Sequence, residues 1–452
     1  MSVKMKQSGI EWIGEIPEHW DLVKGKYLFT NIKEIVGKDS YRFKRLALTL
    51  NGIIERDKES SDGLQPINFD TYQIVRENNL IFKLIDLQNI STSRVGLTWS
   101  DGIMSSAYIR LVPVKNISIK FYENFYLMMW YYNIFNNLGD AGVRSNLNAT
   151  DLLNIQIPYP PIEEQRLIAV QLNQICGTLD NTKADIEKQI EILNEYKKSV
   201  MLETFEFYCN KYSYNNVKIN NLSKLVTKQT GFDYSTYISP ALLDTKEENT
   251  LPFLQTKNFK SNYFNLNTDY YIPKEVAYRF NKILLNKKSL LFSIVGASIG
   301  NVAVYPGKEE AFLGGAICKV DLINEELYDY IKYYMLSPKG QDQILVKVNS
   351  NAQGTITVQN VRDFKVPIFK DSINRRIVAY LDSKCSEIDS IIETKKQQLE
   401  LLEEYKKSII YEYVTGKREV SAPIDEVTAP IDEVSAKPDF AVAQNTQSVS
   451  IE

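Results

Sequence analysis

The 452-residue chain holds a single histidine, His19. A Ser-His-Asp triad or a zinc site built from several imidazoles would have to use that one residue, beside Trp20 in IPEHW. The four cysteines, Cys176, Cys209, Cys318 and Cys385, are scattered and form no CxxC pair. That excludes a secreted disulfide framework and points to a reducing cytoplasm. No apolar run is long enough to cross a bilayer, and the opening MSVKMKQSGIEWIGEIPEHW has no apolar signal core. A GxxxxGK[ST] phosphate loop is absent; SIVGASIGN (293–301) has GxxxG spacing between strand-like runs and reads as a turn. No metal site is expected.

What remains is ordinary globular material, 44% hydrophobic and 24% charged, long enough for two or three domains. The formal charge of −3 hides a pattern. Residues 421–452 hold six acids against one Lys, so residues 1–420 sum to +2. Residues 210–370 hold 20 Lys/Arg against 14 Asp/Glu, and residues 21–160 hold 16 against 14. The overall acidity therefore does not exclude a basic groove.

The main signal is an internal repeat. EYKKSVMLE (195–203) returns as EYKKSIIYE (404–412), 209 residues later. At that offset Leu172 matches Leu381, Cys176 matches Cys385, Asp180 matches Asp389 and Tyr196 matches Tyr405. Each copy follows a proline-bearing junction, IQIPYPPIEEQ (155–165) or FKVPIFKDSIN (364–374), which suits a helix start. Both carry a heptad: Leu172, Cys176, Leu179, Ile186, Ile190, Leu193 and Val200, then Leu381, Cys385, Ile388, Ile392, Leu399, Leu402 and Ile409. Lys183 and Lys395 interrupt the pattern. The spacing predicts two helices of roughly 40 residues, each about 60 Å long, with the seams of a coiled coil. Pairing with each other and packing on their own domains are the two readings of those seams.

The intervening blocks alternate strand-like runs (LIFKLIDL, YIRLVPV, SLLFSIVG, NVAVYP, ICKVDLI) with turns rich in Asn, Gly and Asp. Each also has a helical stretch, FYENFYLMMWYYNIF (121–135) or EELYDYIKYYML (325–336). The fold class is therefore α+β. The boundaries read as a domain over 1–160, a long helix over 161–210, a second domain over 211–370, a second long helix over 371–418, and a tail over 419–452. The tail repeats APIDEV, is acidic and nearly free of aromatics, and reads as disordered, either passive or a partner peptide.

Several of these segments carry a family resemblance. WIGEIPEHWDLVKGKYLF (12–29), LTLNGIIERD, DLQNISTSRVG, IPYPPIEEQRLIA, SIVGASIGNVAVYP (293–306) and EYKKSIIYEYVTGK resemble the specificity subunit of type I restriction–modification systems. The likeness spans about residues 10–420. The second junction, VPIFKDSINRR, departs from it, lacking the double proline and EEQ. The resemblance implies two target-recognition domains held by antiparallel long helices with an approximate two-fold relation. Each domain would read half of a split double-stranded DNA target, with the helices setting the gap. It also implies partners: two methyltransferase subunits, with S-adenosylmethionine and adenine N6 methylation, and restriction subunits, with ATP and Mg, that cleave. This chain would itself be non-catalytic and hold no cofactor; it shows no Asn/Asp-Pro-Pro-aromatic methyltransferase motif.

Base reading needs Arg, Lys, Asn, Gln, Ser and Thr at loop positions. The candidates in the first block are Lys83, then Asn89, Ser91, Thr92, Ser93 and Arg94, then Arg144 and Asn146. In the second they are Thr256, Lys257, Asn258 and Lys260, then Ser298 and Asn301, then Gln353 and Thr355. Arg94 and Lys257 are the leading choices for charge-assisted contacts. Each cluster reads equally as a solvated loop capping a strand. The EYKKS ends are candidates for facing the methyltransferases, or are solvated charged faces. A rival class, a coiled-coil scaffold whose globular domains bind proteins, also stays open.

Overall fold

The computed structural model describes residues 4–59, 68–85, 87, 94–138, 146–260, 263–348 and 354–420. Residues 421–452 of the acidic tail lie outside them. The chain divides into two compact units, Met1–Asn181 with Leu402–Glu452, and Thr182–Leu401. In chain order the first block contains β1 (Phe29–Asn31), β2 (Leu80–Phe82), β3 (Val95–Leu97), β4 (Ile109–Pro113) and α1 (Ile119–Tyr131). Helix α2 (Ile162–Lys211) follows. The second block contains β5 (Ser223–Lys228), β6 (Ser289–Ser293), β7 (Val302–Tyr305), β8 (Ile317–Leu322) and α3 (Leu327–Leu336), and then comes α4 (Asp371–Val414). Helix α2 starts 209 residues before α4, the offset of the sequence repeat.

In the first unit the sheet order is β1-β4-β2-β3, all antiparallel. These strands are only three to five residues long, so the core comes chiefly from helix α1. Phe121, Tyr122, Phe125, Tyr126, Met128 and Met129 are all buried. The Tyr122 hydroxyl donates to the Pro158 carbonyl at 3.1 Å, tying α1 to the strand that enters α2. That strand, Gln156–Tyr159, pairs with Asp21–Lys24. The N-terminal IPEHW is anchored on α2: His19 and Trp20 Nε1 meet the two oxygens of Glu164 at 2.9 and 3.0 Å. The lone histidine thus has a structural partner.

The second unit repeats the plan with different residues. Its sheet order is β5-β8-β6-β7. Strand Lys365–Ile368 pairs with Asn215–Lys218. The Tyr330 hydroxyl of α3 donates to Pro367, which is Pro158 plus 209. At matching positions of β4 and β8 sit two buried cations, Arg110 and Lys319, 209 residues apart. Arg110 donates to the Ile74 carbonyl at 2.6 Å and Lys319 to the Leu284 carbonyl at 2.9 Å. The unit adds a four-stranded mixed sheet, with Thr250–Leu254 parallel to Ala311–Leu313.

Both helix starts are held alike despite their different sequences. Gln165 Nε2 donates to the Pro160 carbonyl at 2.8 Å, and Asn374 Nδ2 donates to the Phe369 carbonyl at 3.1 Å. Both residue pairs keep the 209 offset, so Asn374 does in DSIN what Gln165 does in EEQ. Just upstream, Asn148 with Asp151 and Thr357 with Asn360 form matching capping boxes. The C-terminus of α4 ends on Gly416, at φ +70, where an added Cβ would collide with Pro17.

Within each unit the long helices pair antiparallel. In the first, Ile168 and Leu172 of α2 share a core with Ile409, Ile410 and Val414 of α4. In the second, Val200 and Met201 share one with Leu381, Cys385, Ile388 and Ile392. Of the other seam positions, Leu179, Ile186, Leu193, Leu399 and Leu402 are half-buried. Two ion pairs accompany the seams. Lys406 meets Asp180 at 2.6 Å in the first unit, and Lys197 meets Asp389 at 2.6 Å in the second. These are one pair made twice: the first lysine of EYKKS reaches the aspartate of the other copy. Gln189 and Lys395 meet at 2.5 Å in the second unit, so one interruption of the heptad is a polar contact between helices.

Candidate nucleic-acid interface

The second unit brings together sequence candidates that lie far apart in the chain. A groove of ≈450 Å³ is lined by Thr256, Lys257, Lys260, Ser298 and Asn301, with Asn194, Lys197 and Lys198 contributed by α2. The chain reaches this arrangement because the Asn301 amide donates to the Phe259 carbonyl at 2.8 Å, clamping the glycine turn to the 255–260 loop. Lys257 and Lys260 are exposed. Lys257 contacts Asp269, whereas Lys260 has no acidic partner among the described residues. Lys198 bonds to Glu195 at 2.9 Å. An exposed lysine with a single surface carboxylate can exchange that partner for a phosphate at little cost, since such pairs contribute only about 0–1 kcal/mol.

Other candidates are occupied inside the fold. Arg94 is 1% exposed and donates to the Leu87 carbonyl at 2.8 Å and the Ile85 carbonyl at 3.5 Å. It holds the loop after β2 and offers no free face to DNA, which corrects its place as a leading contact. Asn258 is buried, and its Oδ1 accepts from the Gln255 N–H at 2.8 Å. Its side chain is a cap, not a reader. Thr355 is half-buried and forms an isolated bridge with Val295. Lys83 is half-buried at the end of β2, and Asn146 is exposed. Asn89, Ser91, Thr92, Ser93, Arg144 and Gln353 lie outside the described residues.

Sequence reading missed a second feature, a pair of matched clefts. Leu111 of β4 faces Asn31 of β1, and Val320 of β8 faces Val226 of β5. Two residues beyond those partners come Lys33 and Lys228, and each lines a cleft beside the segment leading into β4 or β8. The first cleft, ≈480 Å³, includes Lys33, Gln73, Tyr108 and Asn146. The second, ≈490 Å³, includes Lys228, Gln229, Tyr234 and Lys257. The lysines could have been found by aligning the blocks strand by strand, but three-residue strands leave too little pattern for that.

The described residues contain no group of three or more His, Cys, Asp or Glu placed to hold a metal. Burial pushes the Cys318 thiol up to about 12 and the Cys385 thiol to about 11, which suppresses thiolate. No described helix is long and apolar enough to cross a membrane.

Comparison with known proteins follows the duplicated layout. The profile of the Type I restriction modification DNA specificity domain matches residues 13–192 and again residues 217–401. The MjaX specificity subunit assigned to a type I restriction enzyme of Methanocaldococcus jannaschii is 25% identical over 430 residues, covering 90% of this chain and 95% of that protein. The MjaVIII specificity subunit of the same organism is 25% identical over 372 residues, covering 76% and 80%. A solved chain from work on complex assembly and conformational transition of the type I R-M system has the same fold. Its TM-score is 0.62 at 14% identity, and the match covers 89% of this chain and 99% of that one.

Proposed function

Because the chain belongs to the family defined by the type I restriction modification DNA specificity domain, carried here in two copies, we propose that it recognises a bipartite DNA target with one half-site per domain. The observation that carries this reading is the duplicated build. The same strand order recurs, and the helix start and interhelix ion pair recur at one offset, while the loops that would meet DNA differ. Equal scaffolds with unequal loops suit two readers of different half-sites. Residues 1–160 and 211–370 act as the readers, 161–210 and 371–418 as spacers, and 419–452 as an accessory tail. The length of α2 and α4 fixes the gap, since an α-helix advances 1.5 Å per residue and successive major-groove faces recur about every 34 Å.

Within the second domain, Lys257 and Lys260 hold phosphates, and Thr256, Ser298 and Asn301 border the same groove. In the first, Asn146 and Lys83, with the 89–93 and 144 positions, supply the equivalent contacts. The relatives' names speak of specificity subunits, and by extension this chain directs others in the cytoplasm. Two methyltransferase subunits with S-adenosylmethionine methylate adenine N6, and restriction subunits with ATP and Mg cleave. The chain itself performs no chemistry.

The reading is tested by titrating the purified chain with duplex DNA over a range of salt. Affinity should fall steeply with salt, and Lys257→Gln and Lys260→Gln should each reduce the logarithmic slope by about 1. Salt-independent or absent binding would instead favour a coiled-coil scaffold for proteins.

A further inference from the structure

Both clefts contain the same anomaly. Gln73 is 1% exposed, and its Nε2 donates to the Tyr108 carbonyl at 2.7 Å and the Ser105 carbonyl at 3.1 Å. Those bonds fix the orientation of the amide, because a flipped oxygen would face two carbonyls. Among the described residues its Oε1 has no partner. Gln229 is 3% exposed, and its Nε2 donates to the Leu313 carbonyl at 3.3 Å. Among the described residues its Oε1 is also without a partner. A buried acceptor left unmade carries the full desolvation cost of the group, so two in the matched clefts call for a cause.

The two glutamines are not equivalent in the chain. Gln73 lies on a strand preceding β2, whereas Gln229 follows β5. Yet each clamps the segment that leads into an inner strand, β4 or β8, and each lines the cleft beside it. In both clefts a tyrosine and a lysine stand alongside: Tyr108 with Lys33, and Tyr234 with Lys228. In the second, Gly315 keeps the floor open; a Cβ there would come within 3.1 Å of the Gln229 oxygen. The same chemistry is thus assembled twice, with the lysines at matching positions and the glutamines and tyrosines at unrelated ones. It consists of an acceptor without a donor, an aromatic ring and a cation.

Resting on the DNA-recognition reading, we propose that each cleft takes one base of its half-site, turned out of the stack, and reads its exocyclic amino group on the glutamine oxygen. Placed to meet the exocyclic group of the base, an acceptor favours the amino groups adenine N6 and cytosine N4 over the carbonyls that guanine and thymine carry at the same positions. The tyrosine ring offers a stacking face, and the lysine meets the flanking phosphate. A stacked base cannot reach an oxygen at the floor of a concave site, so the base must leave the duplex stack. Entry displaces the segment that shields the oxygen.

The test uses the full chain and duplexes selected by it from a randomised library. At each adenine or cytosine of the selected target, the amino group is deleted by substituting purine or 2-pyrimidinone. One position per half-site should lose roughly tenfold or more in affinity. That penalty should vanish in Gln73→Met for the first half-site and in Gln229→Met for the second, each leaving the other half-site unchanged. Gly315→Ala, which leaves the glutamine in place, should also erase the second. Mismatching the read base pair lowers the cost of turning the base out and should tighten binding. If the penalties persist in all three variants, or the mismatch weakens binding, the proposal is overturned while DNA recognition stands. If the wild-type chain selects no sequence, the recognition reading itself fails, and this proposal with it.

Discussion

Lys197 and Lys406 account for the double spelling of EYKKS. Each is the lysine that crosses to the aspartate of the opposite helix, Asp389 or Asp180. Replacing Lys406 by Asp should destabilise the first unit by about 1 kcal/mol, as expected for a partly exposed pair. The double exchange of Lys406→Asp with Asp180→Lys should recover most of it, and urea unfolding of the three proteins would show this. A second residue-level expectation concerns acid. Burial raises the pKa of Asp329, but Lys332 and Lys288 outweigh it and hold the carboxyl below its ordinary value. A lowered folded pKa gives stability that is present above the unfolded carboxylate value and is lost as pH falls through the folded one. The stability gap between wild type and Asp329→Asn should therefore close below about pH 4. None of this is legible in the sequence. A lysine on a charged helix looks the same whether it meets water or a partner, and the expectation of a surface Arg94 fails in the same way. Its polar run, NISTSR, does not reveal that the guanidinium turns inward to two backbone carbonyls.

At the level of elements, legibility follows length. The long helices are readable because a heptad sustained for five turns or more marks a packed helical seam, and Leu172, Leu381, Ile388 and Ile392 are buried. Strands of three residues carry too little periodicity to give a sheet order, so β1-β4-β2-β3 and its repeat emerge only in the structure. The second junction is the instructive case. DSIN has neither the double proline nor EEQ, yet Asn374 bonds the Phe369 carbonyl, the equivalent of the Pro160 carbonyl that Gln165 bonds. A shorter amide does the same work where motif matching finds a departure. For the seam, Leu381→Ala removes a fully buried side chain and should cost about 2–5 kcal/mol, measured by denaturant unfolding. The matching Leu172→Ala should fall in the same range, because the two leucines occupy one position of the repeat.

For the whole molecule, the duplication is the functional statement. One helix-borne scaffold is used twice with different loops, and the family to which the chain belongs is one of DNA specificity. The most direct measurement is to co-express the chain with a type I methyltransferase subunit in a host free of adenine methylation and map every modified adenine in the genome. The account predicts one split motif, two short half-sites around a fixed gap, with Gln73→Met relaxing one half and Gln229→Met the other. A stable complex that modifies adenines at a single continuous motif, or at no defined sequence, would contradict it.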